Sequence, residues 1–404
     1  MIFDVLLSPL SAFFESECPN IDKKSGSKKL FFEGFCRDIF FAVFTGVRSL
    51  RELSNELYNN DLCKKIGLSP TPFSTLKDGF SRFGACFFKQ LYEHALRCHD
   101  WAKIKSFEEL GTLRVVDGSL FPALIQMSWA KYKSGSAACK LHLCFELNRM
   151  IPVNFFVGSG NSPERDFLVS IIEESVTYIA DRGYFSFAVA EKMVLKKAFF
   201  LFRIKSNMIF AVSGGHGAVS GVPFPACFSG VSDHIIRFSN DGSGNEYRLV
   251  RFTVGQKHFH ICTNRLDLTT LQVMMLYSFR WQVELMFKFL KRTAHGLHLF
   301  SNGENGAQAH FYLWLTAALM ELRIKQSCVL LKEASPSGIG FFLKETENIE
   351  HLVFSFSGSC DVFVKHISKM LYFAWKLSKN FLLLLKNSIA KEADLVLLFK
   401  FADA

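Results

Sequence analysis

Five polar side chains recur at helical spacing in the otherwise apolar stretch of residues 267–293. They are Tyr277, Arg280, Glu284, Lys288 and Lys291. The steps between them are three, four, four and three residues, and each residue of an α-helix turns by about 100°, so all five lie within a stripe roughly 80° wide. A helix that is apolar over most of its circumference is normally buried, so the stripe is predicted to face something polar. Asp267 is a candidate N-cap for this helix.

Two kinds of surface explain such a stripe. One is a solvated helix face on which Glu284 and Lys288, four residues apart, form an ion pair. The other is a groove that holds phosphates, in which Glu284 is a carboxylate flanked by the cations Arg280 and Lys291. The choice between them depends on whether other carboxylates join Glu284.

Two apolar β-strand patterns each end in an aspartate at a turn. The run 113–117 ends in Asp117 before Gly-Ser, and the run 177–181 ends in Asp181 before Arg-Gly-Tyr. An aspartate before a turn is most often only a turn former. Catalytic groups, however, collect at strand ends of α/β sheets. A pair of such aspartates in one sheet therefore predicts a site to which both contribute.

The composition favours a polyanionic partner and a reducing compartment. The chain has 404 residues, 49% of them hydrophobic, which is enough for a sizeable core and two or three domains. The formal net charge of +10 and the pI near 9.0 suit a polyanion. The 11 cysteines form no Cys-x-x-Cys pair, so neither a zinc centre nor a disulfide framework is predicted. The N-terminus is a poor secretory signal, and the longest apolar runs are too short to cross a bilayer.

Helical spacing dominates the first hundred residues after a polar start. Residues 1 to about 30 have the composition of a weakly ordered segment, and 31–101 have a helical pattern. Within that pattern, the run 48–57 and a second helix capped by Ser74 or Thr75 flank a Pro/Gly turn. The second helix carries Lys77, Arg82 and Lys89. Such a pair is either an α-hairpin or a helix-turn-helix that reads DNA.

From residue 113 onward, strand and helix patterns alternate. Further strands are predicted at 140–147, 151–157 and 199–204, and helices at 163–174 and 185–197. The first three strands form an antiparallel meander. Residues 207–262 are rich in Gly, Ser and Phe and have the short alternating runs of a β insertion. A buried helix at 311–325 and a mostly helical tail from Glu345 follow.

This order of strand-Asp, strand-Asp, β insertion and helix-Glu resembles the DDE transposases, which have an RNase H-like catalytic core. The signature Y-x-x-R-x-x-x-E-x-x-x-x-x-x-K of the insertion-sequence-four group is matched at full spacing by Tyr277, Arg280, Glu284 and Lys291. The matching shorter motifs are Val116-Asp-Gly-Ser119, Lys140-Leu-His142, Asp181-Arg-Gly-Tyr184 and Thr263-Asn-Arg265. The resemblance covers roughly residues 110–325. The stretch 207–259 has no Trp, so the base-holding aromatic of some relatives has no counterpart that can be named here.

The resemblance implies a catalytic triad of Asp117, Asp181 and Glu284 that binds two metal ions. Three carboxylates without His or Cys make a hard-oxygen site, suited to Mg²⁺ or Mn²⁺ rather than Zn²⁺. Two such ions about 4 Å apart would activate a water or a DNA 3′-hydroxyl and stabilise the leaving oxygen. Asp117 is the expected bridging ligand.

The resemblance also implies DNA contacts. Arg280 is predicted to grip a phosphate bidentately, Lys291 to add a point charge and Tyr277 to hydrogen-bond a phosphate, with Arg182 and Lys288 as further candidates. The expected partners are double-stranded DNA, as terminal inverted repeats and as target, and a second copy of the chain in a synaptic homodimer. The expected setting is the prokaryotic cytosol, bound to DNA and away from any membrane.

The predicted fold class is α/β, an RNase H-like mixed sheet flanked by helices and interrupted by an all-β insertion. The predicted divisions are a helical DNA-binding region 1–105, a first core part 106–206, the insertion 207–262, a second core part 263–335 with the Glu284 helix, and a helical C-terminal region 336–404.

Other functions remain open at this stage. Tyr277 could act as the covalent nucleophile of a tyrosine recombinase, but that chemistry needs an Arg/His cluster and leaves three carboxylates unexplained. A metal-dependent nuclease of the same fold would cut DNA without joining it. A decayed transposase would bind DNA ends without chemistry.

Overall fold

The structure is a computed structural model of the chain. It describes residues 2–26, 29–101, 103, 105–123, 127–133, 136–216, 224, 228–293 and 299–334. The predicted helical C-terminal region 336–404 lies outside the described residues.

The N-terminal part of the chain is helical from its second residue onward. Its helices are α1 Ile2–Leu7, α2 Ser11–Ser25, α3 Phe32–Thr45, α4 Leu50–Asn59, α5 Asp61–Lys65, α6 Phe73–Arg82, α7 Ala85–Arg97 and α8 Lys105–Glu108. The prediction of a weakly ordered segment over residues 1–30 is wrong, because Leu10, Phe13 and Phe14 are buried. The Phe13 ring packs on His94 of α7, with 5.5 Å between the ring centroids.

The boundaries of the second predicted helix also need correction. α6 begins at Phe73, directly after Pro72, and not at a Ser74 or Thr75 cap. The proline accounts for this start, because its fixed φ suits the residue that leads into a helix and its missing N–H needs no partner there. Since α6 ends at Arg82, the predicted Lys89 lies on the next helix, α7.

A nine-stranded mixed sheet forms the centre of the described part of the chain. Its strands are β1 Thr112–Pro122, β2 Ala138–Glu146, β3 Ile151–Ser159, β4 Val176–Ala180, β5 Phe199–Arg203, β6 Phe210–Gly215, β7 Phe228–Phe238, β8 Tyr247–Val254 and β9 Lys257–Thr263. The remaining helices are α9 Glu164–Ser170, α10 Phe187–Leu195, α11 Thr270–Ser278, α12 Trp281–Thr293 and α13 Glu304–Ala334.

The strand order is β3-β2-β1-β4-β5-β9-β8-β7-β6. β1, β2 and β3 form an antiparallel meander, whereas β4 pairs in parallel with both β1 and β5. β9 pairs antiparallel with β5, so the strands of residues 207–262 continue the same sheet at the edge of β5. This mixed sheet between helices confirms the predicted α/β, RNase H-like fold class.

The two faces of the sheet are covered by different helices. Side chains of one face, such as Leu113 and Val115, share a core with the N-terminal helices and with α11, α12 and α13. Val116 and its neighbours on the other face pack with α9 and α10. The Tyr92 hydroxyl of α7 donates to Pro152 O of β3 at 2.8 Å, which joins the N-terminal helices directly to the sheet. The N-terminal helices are therefore part of the same core as the sheet.

The helix predicted over residues 267–293 is broken in two. α11 is capped by Thr269, which forms a capping box with Gln272, while Asp267 pairs with Arg265 instead of capping. Between α11 and α12 the backbone bonds tighten to i→i+3, as in Phe279 N–H to Leu276 O. A short stretch of such tightened turns therefore separates α11 from α12.

No helix in the described ranges is long and apolar enough to span a membrane.

Asp38 of α3 provides a test of this N-terminal packing. It is 2% exposed and its Oδ2 lies 3.1 Å from Thr71 Oγ1. Burial raises the pKa of Asp38 to about 7, against the opposing effects of Thr71 and Arg37. The folded chain therefore keeps a proton that the unfolded chain loses near pH 4. Stability should fall by up to about 1.4 kcal/mol per pH unit as the pH rises from about 4 to about 7.

Asp38→Asn stays neutral at every pH, so we expect it to exceed wild type in stability at pH 8 and by much less at pH 5. Urea unfolding at both pH values measures this difference. Asp61→Asn, at an exposed carboxylate on α5, is the control and should track wild type. Equal pH dependence in Asp38→Asn and wild type would contradict the protonated state of Asp38.

Candidate active site

The parallel pairing of β1 and β4 places Asp117 beside Asp181. The printed register ends with Val115 opposite Ile179, so Asp117, two residues further along β1, and Asp181, directly after the end of β4, lie at the same end of neighbouring strands. Such strands are about 5 Å apart. β1 continues past Asp117 to Pro122, which corrects the prediction that this strand ends at a turn. The Asp-Gly-Ser sequence pairs with β2 instead, with Gly118 opposite His142.

Glu284 reaches the same place from α12 through Arg280. The guanidinium donates from Nη2 to Glu284 Oε1 at 2.6 Å and from Nη1 to Asp117 Oδ2 at 3.4 Å. Arg280 is only 4% exposed. The ion pair expected on a solvated face, Glu284 with Lys288, is thus replaced by a buried bridge between a helix carboxylate and a strand carboxylate. Lys288 lies with its Nζ 5.7 Å from the Trp281 ring centroid.

Tyr277 forms a hydrogen bond with the third carboxylate, Asp181. Its hydroxyl donates to Asp181 Oδ1 at 3.3 Å, and its fully buried ring packs on Phe259, 6.0 Å away. The break between α11 and α12 therefore lets Tyr277 and Arg280 both point back at the sheet. Together they supply a hydrogen-bond donor to each of the three predicted catalytic carboxylates.

The charges of the site act on one another. Burial raises the pKa of Asp117 to about 6, and Glu284 and Glu164 add to the rise, while Arg280 and the Gly118 N–H oppose it. Burial also raises the pKa of Tyr277 above its usual range, helped by the nearby Asp181. For Arg280, burial disfavours the charged form, but Tyr277, Glu284 and Asp117 outweigh it and raise the pKa. The site is crowded with negative charge, and the guanidinium stays charged to offset it.

Two further groups in the site were not singled out in the sequence. Glu164, the first residue of α9, pairs with Lys140 at 2.6 Å. Its Oε2 would lie 2.6 Å from a Cβ at Gly183, so Glu164 stands directly against the turn that follows Asp181. Arg203 ends β5 one strand beyond Asp181, with its guanidinium 4.8 Å from the Phe259 ring. The only signal for Arg203 is a cation at the end of the apolar run Phe-Phe-Leu-Phe.

The start of α11 is tied to the sheet by two buried arginines. Arg265 donates to Thr177 Oγ1 of β4 at 2.7 Å and to Leu110 O. Arg248 of β8 forms a bidentate pair with Asp233 of β7, and both side chains are fully buried. Arg248 also donates to the backbone carbonyls of Arg265 and Leu268. These bonds fix the segment that leads into the helix carrying Tyr277.

The residues predicted to contact DNA lie at different depths. Tyr277 and Arg280 are buried against the carboxylates, whereas Lys288 and Lys291 are exposed on α12. Lys291 Nζ lies 5.1 Å from the Phe121 ring, and burial of its stem lowers its pKa. Arg182 is half-exposed, with its Nε 4.0 Å from Asp181 Oδ1. Their contacts with DNA stay a prediction.

The donor set fits a hard cation. Among the described residues, no three His, Cys, Asp or Glu side chains stand close enough together to hold a metal as they are. The Arg280 guanidinium lies between Asp117 and Glu284, so a positive charge already occupies the place between these two carboxylates. Carboxylate oxygens without a sulfur or imidazole partner suit Mg²⁺ or Mn²⁺.

Comparison with known families decides the assignment. The family model of the transposase DDE domain matches residues 108–320, more than half of the chain and all three carboxylates. The chain belongs to the DDE transposases. Two curated relatives agree with this. The chain is 25% identical over 218 residues to the putative transposase y4zB of Sinorhizobium fredii, which covers 51% of the chain and 58% of the relative.

The second relative is the probable transposase for insertion sequence element IS5377 of Geobacillus stearothermophilus. It is 22% identical over 205 residues, covering 48% of the chain and 51% of the relative. The chain thus spans little more than half the length of the curated relatives it matches. The predicted membership of the DDE transposases is confirmed, and the narrower insertion-sequence-four group stays a prediction.

Removal of Arg248 tests the anchoring of α11. Arg248→Ala leaves Asp233 buried without its partner, so the transposase should lose about 3 to 5 kcal/mol of unfolding free energy. The matched control is Arg237→Ala, which breaks an exposed pair between β7 and Glu246, the residue before β8, and should cost about 1 kcal/mol or less. Urea unfolding measures both. Losses of equal size would mean that the buried pair does not anchor the segment.

Proposed function

We propose that this transposase binds the terminal inverted repeats of an insertion sequence and catalyses strand cleavage and strand transfer with divalent metal ions. The proposal is supported by the parallel pairing of β1 with β4, which brings Asp117 and Asp181 to the same end of neighbouring strands, and by the Arg280 bridge, which brings Glu284 to Asp117. Double-stranded DNA would be both donor and target, and a homodimer would pair two ends. Its setting would be the prokaryotic cytosol.

The proposed mechanism assigns one role to each carboxylate. Asp117 lies between Asp181, which follows the neighbouring strand β4, and Glu284 across Arg280, so it is the carboxylate proposed to serve both ions. Two Mg²⁺ or Mn²⁺ ions bound there would supply activation of the attacking oxygen and stabilisation of the leaving oxygen. Asp181 and Glu284 would each complete one of the two ion sites. The same carboxylates would serve cleavage and joining, because the attacking group changes from water to a DNA 3′-hydroxyl while the site stays the same.

The exposed cations around the carboxylates would hold the DNA backbone. Lys288 and Lys291 lie on α12, and Arg182 follows Asp181 directly. Each would neutralise a phosphate beside the scissile one. The helices α4 and α6 are the proposed sequence readers. Because they share a core with the sheet, they would stand at a fixed distance from the carboxylates.

Glu284→Gln separates an enzyme from a binding protein. Its shape is kept and its charge is lost, so binding of terminal-repeat DNA in metal-free buffer should stay equal or become slightly tighter. Nicking in Mg²⁺ should fall by several orders of magnitude, because one metal ligand is lost. A gel-shift and a nicking assay on the same oligonucleotide measure the two effects. Glu246→Gln, which removes an exposed carboxylate directly before β8, should nick like wild type.

Each other outcome has a distinct meaning. Equal nicking by wild type and Glu284→Gln would rule out Glu284 as a metal ligand that catalysis requires, and with it the proposed DDE mechanism. Nicking without any joined product would favour the nuclease alternative. DNA binding without nicking in either Mg²⁺ or Mn²⁺ would favour a transposase that has lost its chemistry.

Lys288→Ala and Lys291→Ala test the phosphate contacts. Each should weaken DNA binding and reduce the slope of log affinity against log salt by about 0.9, the value for one released counterion. The control is Lys197→Ala. Lys197 is an exposed lysine just after α10 and pairs with Glu174, so its removal should leave the slope unchanged. An unchanged slope in both α12 variants would show that this face is only solvated surface.

A further inference from the structure

The Arg280 guanidinium is the resident cation of the site. It lies 2.6 Å from Glu284 Oε1 and 3.4 Å from Asp117 Oδ2, and 4% of the residue is exposed. Burying an arginine this deeply costs several kcal/mol unless charged partners repay it. Here the ion pairs with Asp117 and Glu284 offset the desolvation cost, so the guanidinium is held firmly while these carboxylates are its partners.

A divalent ion needs the same oxygens. Mg²⁺ binds carboxylate oxygens at about 2.1 Å. An ion held jointly by Asp117 Oδ2 and Glu284 Oε1 would therefore occupy the space between them where the guanidinium now lies. The guanidinium would also repel a second positive charge between Asp117 and Glu284. The break between α11 and α12 gives Arg280 its present direction, because Arg280 N–H bonds to Tyr277 O in a tightened turn.

We propose that Arg280 acts as the counter-ion of the metal-free site and has to leave Asp117 and Glu284 when a divalent ion binds. This inference rests on the proposed function, since it assumes that these carboxylates take the ions. The metal affinity of the free transposase is then set by competition with Arg280. The released guanidinium is freed for a phosphate, so Arg280 would exchange its contacts with Asp117 and Glu284 for a DNA phosphate when metal binds.

Titration with Mn²⁺ alone, followed by electron paramagnetic resonance in the absence of DNA, tests the competition. Arg280→Gln removes the competing charge and should lower the apparent Kd for Mn²⁺ by about tenfold or more. Arg280→Lys keeps the charge but loses the fork that spans both carboxylates, so its Kd should lie between the two. Arg237→Gln removes one exposed positive charge from β7 and should bind Mn²⁺ like wild type.

A measurement on wild type keeps the test valid if Arg280→Gln does not fold. In ¹⁵N-arginine-labelled protein, the Nε–Hε resonance of Arg280, assigned with Arg280→Lys, should shift on addition of Mg²⁺ while that of Arg237 stays in place. An unmoved Arg280 resonance at saturating Mg²⁺ would overturn the exchange.

The remaining outcomes separate this inference from the proposed function. Equal or weaker Mn²⁺ binding by Arg280→Gln would overturn the exchange alone, and would make Arg280 a residue that positions the carboxylates for the ion. An absence of Mn²⁺ binding in wild type and every variant would remove the metal site itself, and the exchange with it.

Discussion

Three carboxylates held at one place repel one another, and the rest of this structure depends on how that repulsion is offset. Arg280 lies between Asp117 and Glu284, and Tyr277 donates to Asp181. Tyr277 lies in the last turn of α11 and Arg280 between α11 and α12, so the position of this break decides whether the site can form. Arg248 and Arg265 fix the preceding segment to β7, β8 and β4 with buried ion pairs and backbone bonds. The buried ion pair and hydrogen bonds of Arg248 on β8 therefore support a site that lies several strands away.

The helical N-terminal part supports the same site from outside. Over residues 309–320, α13 is apolar on nearly all sides, with Leu313, Trp314 and Leu315 at most 2% exposed, so this part of the helix needs partners all around it. α7 and α3 supply them on one side and the sheet supplies them on the other. Asn305 of α13 also bonds the turn between α6 and α7, accepting from Ala85 N–H at 2.7 Å. A DNA reader built on these helices would therefore be rigidly connected to the carboxylates.

The three carboxylates could be predicted from the sequence because each lies in a strong local pattern, namely two apolar strands and one helical stripe. The contact of Arg280 with Asp117 could not, because the two residues are 163 positions apart and local spacing carries no information on such a contact. The break in the long helix was also missed, since a step of three residues from Tyr277 to Arg280 suits both an α-helix and a tighter turn. The start of the chain was misjudged because Phe13 is ordered by His94, a tertiary contact that composition does not reveal.

The placement of Tyr277 also bears on the recombinase alternative. A nucleophilic tyrosine has to expose its hydroxyl to a phosphate and give up its proton easily. Tyr277 is fully buried, its hydroxyl points at Asp181, and burial and that carboxylate raise its pKa. Each of these features holds the proton on the phenol and keeps the oxygen away from a DNA strand. The role that fits Tyr277 is that of a donor which keeps Asp181 in place, as Arg280 does for Asp117 and Glu284. The spacing of Tyr277, Arg280 and Glu284 can thus follow from the geometry of carboxylate support as well as from contact with DNA.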